Sequence, residues 1–336
     1  MFENKRILIT GGTGSLGRAL TKRLLKHNVE SIRIFSRNES NQIKMEDELN
    51  NPRLRFFIGD VRDKERLMRA IEGVDIVFHT AALKHVPVIE YNPFEAIKTN
   101  VIGSQNVIDC CHAEGVEVAI CIGTDKAVSP LNVYGATKLL MEKLFTSASN
   151  YVDKTKHPTK FIAVRYGNVL GSSGSVVPKF AEQIMSKGKI TITDPKMTRF
   201  SILMEEALDF ILNSVKEGKG SEIFVPKLKA YNIMDVKDTL FELIGKTEVE
   251  ITSIRAGEKL YEVLINHDEI RNTLENNDYY VIVKPDLTQK QISELYPNYK
   301  SVNNMESYSS DKVEKLSKDE LKKLIIKANL PLQQFS

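Results

Sequence analysis

Two residues that could together carry out acid–base chemistry, Tyr134 and Lys138, stand four positions apart in a stretch with a helical pattern of apolar residues. Residues i and i+4 of a helix share one face. A phenol with a pKa near ~10 is a weak base at neutral pH, but a nearby ammonium favours the phenolate and lowers that pKa. The pair therefore predicts a general base. The alternative is an ordinary tyrosine and lysine on an amphipathic helix, because this spacing also arises by chance.

A polar triplet, Thr124, Asp125 and Lys126, precedes this helix. It comes just after residues 116–122, an apolar and β-branched run typical of a buried parallel strand. Ligands of open α/β sheets bind at the carboxyl ends of the strands, so we expect the triplet to lie at a reaction site. Asn100 interrupts an apolar helical stretch, and because a buried amide needs partners, we expect it to brace this segment.

The beginning of the chain carries a candidate phosphate-binding turn. Residues 5–10 form a predicted strand, and a glycine-rich turn connects it to a predicted helix. Glycines at such positions let the backbone turn tightly and approach a pyrophosphate, which the helix N-terminus attracts. The sequence therefore predicts a dinucleotide site formed by Gly11, Thr13, Gly14, Ser15, Leu16 and Gly17.

The residues that end the second predicted strand, Ser36, Arg37 and Asn38, indicate which dinucleotide is bound. An NAD site usually places a carboxylate here for the ribose 2′-hydroxyl, whereas a hydroxyl and a guanidinium suit a 2′-phosphate. NADP is therefore the predicted cofactor. Two alternatives stay open: Glu39 could reach the ribose and favour NAD, or Arg37 could be an ordinary surface residue.

Further residues at predicted strand ends complete the cleft. Asp60 and Val61 follow the third strand, where the adenine would lie. Ala81 follows the fourth strand, where a small side chain leaves room for the nicotinamide and its ribose. Lys84 in the same loop could contact a phosphate or hydroxyl of the substrate, or be a surface lysine.

Two arginines of the second half could bind a diphosphate. Arg199 and Arg255 lie in loops punctuated by glycine and proline. A planar guanidinium can bind two oxygens at once, which suits this ligand. A pair of surface arginines is the alternative.

The composition is that of a globular protein, with 336 residues of which 42% are hydrophobic and 27% charged. The 47 basic residues are balanced by 44 acidic ones, so we predict no binding to nucleic acid or to a membrane surface. Cys110, Cys111 and Cys121 lack the spacing of metal ligands and are typical of reduced packing residues. We recognise no signal peptide and no run long enough to cross a bilayer, so we expect a soluble, cytoplasmic protein without a metal.

Strands and helices alternate through the first half of the chain, and the regularity then loosens. This pattern predicts an α/β protein, a Rossmann-type doubly wound parallel sheet with a smaller C-terminal substrate-binding domain. The predicted NADP-binding Rossmann domain is 1–170, with returning segments from the C-terminal half. Residues 171–285 form most of the predicted substrate-binding domain, and 286–336 a polar C-terminal appendage.

Six motifs in this order resemble the extended short-chain dehydrogenase/reductase superfamily, and within it the inverting UDP-N-acetylglucosamine 4,6-dehydratases of pseudaminic acid biosynthesis. They are the glycine turn and residues 124–126, 134–138, 165–169, 197–200 and 255–259. The likeness covers residues 1–285 and, more weakly, the tail. Tyr134 is part of the distinction, because related membrane-bound or C3-epimerising dehydratases tend to have Met at its position.

The resemblance implies a role for each residue of the site. Tyr134, assisted by Lys138, would take the proton of the sugar 4-hydroxyl during oxidation at C4. Lys126 would remove the C5 proton and return one to the opposite face, and it needs a lowered pKa to do so. Asp125 would protonate the departing 6-hydroxyl, and Thr124 would orient the substrate. Val169 would join Tyr134 and Lys138 at the cofactor, and the UDP-sugar would be held by Asn168, Thr193, Arg199, Arg255 and Glu258.

The resemblance further implies a UDP-N-acetylhexosamine substrate and a homo-oligomer, either a dimer or a hexamer. Two positions depart from the family pattern: Ser173 replaces an arginine, and Ala256 replaces a proline. The first departure removes a possible substrate contact, and the second changes the stiffness of a loop.

Two other functions remain open from the sequence. A UDP-sugar C4 epimerase of the same fold would need Tyr134 and Lys138 but would give Asp125 and Lys126 no role. A non-catalytic regulator that binds NADP is the second alternative, and the intact Tyr134 and Lys138 pair argues against it.

Overall fold

The computed structural model describes residues 1–153, 155–172, 175–186, 188–255, 257–303 and 305–328. Ser173 and Ala256, the two departures from the family pattern, lie outside the described residues. The strands are β1 Arg6–Thr10, β2 Ser31–Ser36, β3 Leu54–Ile58, β4 Ile76–His79, β5 Val118–Ile122, β6 Lys160–Val164, β7 Asn168–Val169, β8 Ile190–Ile192, β9 Thr198–Ile202, β10 Ile223–Pro226, β11 Ala230–Asn232, β12 Val249–Ile251, β13 Val263–Ile265, β14 Thr273–Glu275, β15 Tyr279–Ile282, β16 Lys300–Ser301 and β17 Tyr308–Ser309.

The helices connect these strands. The α-helices are α1 Ser15–Leu24, α2 Glu39–Leu49, α3 Lys64–Ile71, α4 Val86–Tyr91, α5 Pro93–Ala96, α6 Gly103–Glu114, α7 Val133–Ser147, α8 Val176–Met185, α9 Met204–Glu217, α10 Ile233–Ile244, α11 His267–Ile270, α12 Gln289–Leu295 and α13 Lys318–Lys327. A π-helix spans Ile97–Ile102, and 3-10 turns span Asp125–Ala127 and Ala148–Asn150. No helix in the described ranges has both the length and the apolar character needed to cross a membrane.

The main sheet has ten strands in the order β16-β14-β15-β10-β6-β5-β4-β1-β2-β3. From β10 to β3, each strand is parallel to its neighbours. The other three strands continue the sheet from β10 in antiparallel pairs. The order β3-β2-β1-β4-β5-β6 is that of the doubly wound dinucleotide-binding fold, which confirms the predicted fold class.

The central strands are apolar because helices cover both faces of the sheet. Every residue of β4 and β5 is buried, as expected for parallel strands with no solvent-exposed face. One core contains Leu20 of α1 and Ile211 of α9, and the other contains Val107 of α6 and Phe145 of α7. The pairing of neighbouring strands brings the carboxyl ends of β1, β4 and β5 to one edge.

The predicted helix over residues 93–114 is interrupted in the structure. The π-helix separates α5 from α6 and contains Asn100, which is fully buried. The amide oxygen of Asn100 accepts from Leu83 N at 2.8 Å, and its nitrogen donates to Leu83 O at 3.1 Å and Thr137 Oγ1 at 3.0 Å. Asn100 therefore braces α7, as predicted, and also the loop after β4. Such π-turns are frequent at functional sites.

A smaller part of the molecule forms beside the main sheet. It contains short sheets in the orders β11-β9-β7, β12-β8 and β13-β17. A separate hydrophobic core combines residues of β8 and β11 with Phe180 of α8 and Val236 of α10. This part follows β6 along the chain, in the region where the sequence predicts the substrate-binding domain. The predicted domain boundaries themselves stay predictions.

The tail of the chain is integrated into both parts, whereas the sequence predicts an appendage over 286–336. β16 forms one edge of the main sheet, and β17 pairs with β13. Leu321 and Ile325 of α13 are fully buried in the smaller core. The segment is polar on average, but these apolar residues all face inward, and average composition does not reveal such placement.

Candidate active site

The glycine turn after β1 is packed too closely for side chains. Gly11 has a φ of +66°, and a Cβ there would lie 2.8 Å from the backbone nitrogen of Ala81. A Cβ on Gly17 would lie 2.6 Å from the Gly12 backbone. Gly14 is the N-cap of α1 and provides no side-chain hydrogen bond to it. The first amides of α1 therefore remain available to an anion, as a dinucleotide pyrophosphate requires.

This turn forms one end of a cleft of about 770 Å³ along the carboxyl edge of the sheet. All the residues that the sequence assigns to the cofactor line this cleft, and they come from the carboxyl ends of β1, β2, β3 and β4, from α1 and α7, and from β7. They are Gly11, Thr13, Gly14, Ser15, Leu16, Gly17, Ser36, Arg37, Asn38, Asp60, Val61, Ala81, Tyr134, Lys138 and Val169. The lining also includes Thr80, Tyr166, Ser175 and Met204, which the sequence analysis did not assign.

The end of β2 forms the part of the cleft where a ribose would lie. Ser36 is buried, and its hydroxyl accepts from Gln42 Nε2 at 3.0 Å. Asn38 caps α2 by accepting from Asn41 N at 2.8 Å. Arg37 is 56% exposed, and its guanidinium lies 3.8 Å from Asp60. Arg37 is therefore the exposed cation of this group, and it lines the cleft.

Asp60 is held by arginines. Its carboxylate accepts from Arg62 at 2.7 Å and lies near Arg37. Burial opposes the charged form, but the two guanidiniums hold the pKa of Asp60 below its ordinary value. Asp60 is therefore a carboxylate at neutral pH.

Tyr134 and Lys138 lie in the first turns of α7, which Asn132 caps by accepting from Gly135 N at 2.8 Å. The Lys138 ammonium donates to Ile122 O at 2.6 Å and is almost fully buried. Burial lowers the pKa of Lys138 to about 8, although Cys121 and Glu142 oppose this. The carbonyl thus anchors Lys138 at the end of β5.

The charge that acts on Tyr134 differs from the prediction. Burial raises the pKa of Tyr134, and the cation that opposes this rise is Lys126, not Lys138. A hydrogen bond with Thr124 also lowers the pKa of the phenol, while Asp125 raises it. The sequence pairs Tyr134 with the lysine one helical turn away, but the ammonium of Lys138 is directed to a carbonyl.

The polar triplet forms a tight turn at the end of β5. Asp125 is fully buried, and its Oδ1 accepts from Lys126 Nζ at 3.0 Å and from Thr124 Oγ1 at 2.9 Å. Lys126 Nζ also lies 3.4 Å from Asn168 Oδ1. The second oxygen of Asp125 is buried without a hydrogen-bond partner among the described residues.

The expected lowering of the Lys126 pKa is not what the structure shows. Burial alone would lower it, but the carboxylates of Asp125 and Glu262 raise the pKa of Lys126 well above its ordinary value. Lys126 is therefore an ammonium at neutral pH in this arrangement. The role implied by the resemblance needs a lowered pKa, whereas the two neighbouring carboxylates have the opposite effect.

Glu262 is the ionisable residue of the site that sequence reasoning missed. It is buried, and its Oε1 lies 3.8 Å from both Lys126 Nζ and Arg199 Nε. Burial and the charge of Asp125 raise its pKa, while Lys126, Arg199 and Lys259 oppose the rise. One signal could have revealed it: Glu262 is the single charged residue in the run Tyr261 to Ile265.

The residues assigned to the substrate divide into two groups. Lys84 and Asn168 line the cleft, whereas Thr193, Arg199, Arg255 and Glu258 do not. The Arg199 guanidinium donates to the carbonyl oxygens of Thr198, Lys259 and Leu260 at 2.8 to 3.1 Å. In this structure Arg199 therefore fixes the loop that leads to β13.

Arg255 and Glu258 belong to that same loop. Glu258 Oε2 accepts from Arg255 N at 3.3 Å, and the side chain of Arg255 is exposed. Thr193 donates to the sulfur of Met197 at 3.3 Å.

Among the described residues, no cluster of three or more His, Cys, Asp or Glu could hold a metal ion. All three cysteines are buried and unpaired.

Comparisons with known proteins relate this arrangement to a family. The sequence model of the family described as "polysaccharide biosynthesis protein" matches residues 7–284. The UDP-N-acetylglucosamine 4,6-dehydratase (inverting) of Campylobacter jejuni subsp. jejuni serotype O:2 is 48% identical over 285 residues, which is 84% of each chain. A UDP-glucose 4-epimerase of Rickettsia felis is 40% identical over 331 residues, 97% of this chain and 96% of that protein.

One solved structure matches nearly the whole chain. The X-ray structure of Pen from Bacillus thuringiensis has a TM-score of 0.90 and a sequence identity of 39%. The match covers 97% of this chain and 98% of that one. The tail and the smaller part are therefore included in the shared fold.

Proposed function

The chain belongs to the polysaccharide biosynthesis protein family of the short-chain dehydrogenase/reductase superfamily, and we propose that it is an NADP-dependent, C5-inverting UDP-N-acetylglucosamine 4,6-dehydratase. The observation that carries the proposal is the contact of Lys126 Nζ with Asp125 Oδ1 at 3.0 Å, beside Tyr134. Oxidation at C4 needs one base, whereas elimination across C5 and C6 also needs a base at C5 and an acid at the 6-hydroxyl. Asp125 and Lys126 supply those two groups.

The glycine turn supports a dinucleotide cofactor. The uncapped N-terminus of α1 would receive the pyrophosphate. Gly11 and Gly17 allow the tight turn before it, because a side chain at either position would collide with neighbouring backbone. Arg37 would bind a 2′-phosphate, which is why we propose NADP in place of NAD. When bound, NADP⁺ would accept a hydride from C4 of the sugar and return it to C6.

Tyr134 is the proposed base for the 4-hydroxyl proton. The Lys126 ammonium favours the phenolate that this role requires, and the side chain of Thr124 also lowers the pKa of the phenol. Lys138, anchored on Ile122 O, holds the first turns of α7 against the end of β5. The resulting 4-ketone makes the neighbouring C5 proton acidic.

One proton transfer prepares both groups for elimination. Lys126 begins as an ammonium and passes a proton to the carboxylate of Asp125, to which it is already hydrogen-bonded. The transfer leaves a neutral amine that can remove the C5 proton and a carboxyl group that can protonate the 6-hydroxyl. That hydroxyl leaves as water, and the pair returns to its starting charge. Lys126 then delivers a proton to the opposite face of C5, which inverts this centre.

The proposed substrate is a UDP-N-acetylhexosamine. Lys84 and Asn168 line the cleft and would contact it directly. Arg255 is exposed on the neighbouring loop, from which its guanidinium can turn toward a diphosphate. We propose that Thr193, Arg199 and Glu258 help to hold the UDP-sugar together with this loop.

A UDP-sugar 4-epimerase is the second candidate. The relative of that name in Rickettsia felis, 40% identical, is the observation that favours it. This reaction would use Tyr134 and the cofactor but would not employ the Asp125 and Lys126 pair. Asp125 is fully buried and directed at Lys126, and a polar arrangement of this kind is costly to maintain without a role.

The product distinguishes the two reactions. We would incubate the purified protein with NADP⁺ and UDP-N-acetylglucosamine and record proton spectra over time. A 4,6-dehydratase converts the hydroxymethyl group at C6 into a methyl group next to C5, which gives a new methyl doublet. Formation of UDP-N-acetylgalactosamine with an intact C6 hydroxymethyl group would instead establish that the protein is an epimerase.

A further inference from the structure

Glu262 is a buried carboxylate that the proposed mechanism does not use. It is 3% exposed, and its Oε1 is 3.8 Å from Lys126 Nζ and 3.8 Å from Arg199 Nε. Its Oε2 is buried without a hydrogen-bond partner among the described residues. A buried carboxylate with unmet hydrogen-bonding capacity is unfavourable for folding, so its position calls for a functional reason.

The backbone of Glu262 is held in place by the tail of the chain. Glu262 N donates to Ser310 Oγ at 2.9 Å, and Ser310 N donates to Glu262 O at 2.8 Å. Ser310 Oγ also lies 3.1 Å from Thr198 O and 2.8 Å from Thr198 Oγ1. Ser310 is fully buried. These contacts fix the point from which the Glu262 side chain extends toward Lys126.

The two cations next to Glu262 differ in their freedom. The Arg199 guanidinium is bound to three backbone carbonyls and is constrained by them. The Lys126 ammonium has hydrogen bonds only to Asp125 and Asn168 in the described structure, and the Lys126 side chain is 26% exposed in the cleft. At 3.8 Å the carboxylate of Glu262 acts on Lys126 through charge and not through a hydrogen bond. Glu262 can therefore influence the lysine without taking the proton itself.

We propose that Glu262 is a positioning residue that holds the Lys126 ammonium against Asp125 and so keeps on this pair the single proton that elimination requires. The inference rests on the proposed dehydratase function. If the pair lost that proton, Asp125 would remain a carboxylate with nothing to give to the 6-hydroxyl. Glu262 therefore protects the active charge state at the alkaline end of the pH range.

The charged and titratable groups around Lys126 determine the direction of the effect. Asp125, Glu262 and Tyr134 raise its pKa against the opposing effect of burial. Lys126, Arg199 and Lys259 favour the charged form of Glu262. Replacing Glu262 by a neutral residue removes one of the two carboxylates, so the proton of the pair is lost at lower pH.

The first test is the pH profile of kcat for Glu262→Gln. We expect the alkaline limb to move to lower pH by about 1 unit or more, the usual effect of one opposite charge at this distance. Glu222→Gln is the matched control. Glu222 is 1% exposed and hydrogen-bonded to Tyr296, and it precedes β10 at the amino edge of the sheet, away from the cleft. Loss of the Glu222 carboxylate should lower the stability of the protein without moving the alkaline limb of the kcat profile.

A second measurement separates this inference from the proposed function. The ¹⁵N signal of Lys126 Nζ, identified by its loss in Lys126→Ala, is titrated in the unmodified protein and in Glu262→Gln. A titration that moves to lower pH in the variant supports the inference even if no dehydration is found, in which case only the proposed function fails. The inference would be overturned if the unmodified protein dehydrates its substrate but Glu262→Gln changes neither the alkaline limb of the kcat profile nor the titration of Lys126 Nζ.

Ser310→Ala provides an independent variant in case Glu262→Gln does not fold. It leaves every charge in place but removes the hydrogen bond from Glu262 N to the Ser310 side chain, one of the two that hold the Glu262 backbone. We expect the titration of Lys126 to move in the same direction by a smaller amount. An unchanged titration in a folded Ser310→Ala protein would contradict the positioning role of Glu262.

Discussion

Gly135 lies so close to Lys126 that a Cβ on the glycine would overlap the lysine carbonyl oxygen. This contact packs the first turn of α7 on the turn Asp125–Ala127. Tyr134 and Lys126, one on each of the two packed segments, both line the cleft. The glycine between Tyr134 and Lys138 thus sets the distance between the proposed base for the 4-hydroxyl and the proposed base at C5.

Gly135→Ala should therefore reduce kcat strongly while the protein still folds. The added methyl group must push the Asp125–Ala127 turn away from α7, and a displacement of reacting groups by ~1 Å can cost about 10²-fold in rate. Activity and circular dichroism are measured together. Gly188→Ala is the control, because the nearest atom to a Cβ there is 3.4 Å away. Equal activity of the two variants would refute the spacing role.

Acid sensitivity should originate in part from the buried ion cluster around Arg165. Arg165 is fully buried and donates to Glu142 at 2.6 Å and to Glu269 at 2.7 and 2.8 Å. Burial opposes the charge of Glu269, but Arg165 lowers the pKa of Glu269 below its ordinary 4.5. The contribution of Glu269 to stability is therefore complete above pH 4.5 and is lost as the pH falls through the lower, folded value.

Glu269→Gln should lower the free energy of unfolding by about 1.5–3 kcal/mol near neutral pH, the usual value of a charged hydrogen bond. The difference from the unmodified protein should shrink as the pH falls below 4.5. Urea unfolding at several pH values measures it. A difference that stays constant down to strongly acidic pH would show that Glu269 is not titrating as described.

The residues that the sequence assigns to a cofactor lie together because local rules place them. A strand, a glycine turn and a helix at residues 5–25 can form few other structures, and the ends of parallel strands must meet at one edge. All the residues assigned to the cofactor accordingly line one cleft. The π-helix at Ile97–Ile102 was not predictable, since its apolar pattern resembles that of an α-helix.

The electrostatics of the site could not be predicted, because they depend on contacts between distant segments. Lys126 keeps its proton through Asp125 and, from a distant segment, Glu262, and the backbone of Glu262 is held by Ser310 of the tail. Arg199 has the right chemistry for a diphosphate, yet its donors are taken by nearby carbonyls. Neither fact follows from periodicity or from the type of residue.

Cofactor selectivity should depend on Arg37. Its guanidinium is exposed at the end of β2 and would bind the 2′-phosphate. NADP⁺ should bind more tightly than NAD⁺, and Arg37→Ala should reduce the difference by about 1.5–3 kcal/mol, the value of one charge-assisted hydrogen bond. Calorimetric titration with both nucleotides measures this. Equal affinities in the unmodified protein would rule out the preference.

Tyr134→Phe should abolish oxidation at C4, because the phenylalanine has no oxygen to accept the 4-hydroxyl proton. Loss of a general base usually costs about 10²–10⁴-fold in rate. Binding of the UDP-sugar, measured by calorimetry, should persist. Tyr151→Phe, at an exposed tyrosine, is the control. A loss of binding as large as the loss of turnover would make Tyr134 a structural residue.

The central claim is that Lys126 and Asp125 carry out elimination across C5 and C6, and turnover in D₂O tests it most directly. The Lys126 ammonium exchanges with solvent, so the product should be a 4-keto-6-deoxy sugar with deuterium at C5. The hydrogen that moves from C4 to C6 should remain protium. Lys126→Ala should stop elimination, and it should slow oxidation at C4 without preventing it, because the Lys126 ammonium also favours the Tyr134 phenolate. Unlabelled UDP-N-acetylgalactosamine as the product, or undiminished elimination by Lys126→Ala, would contradict the account.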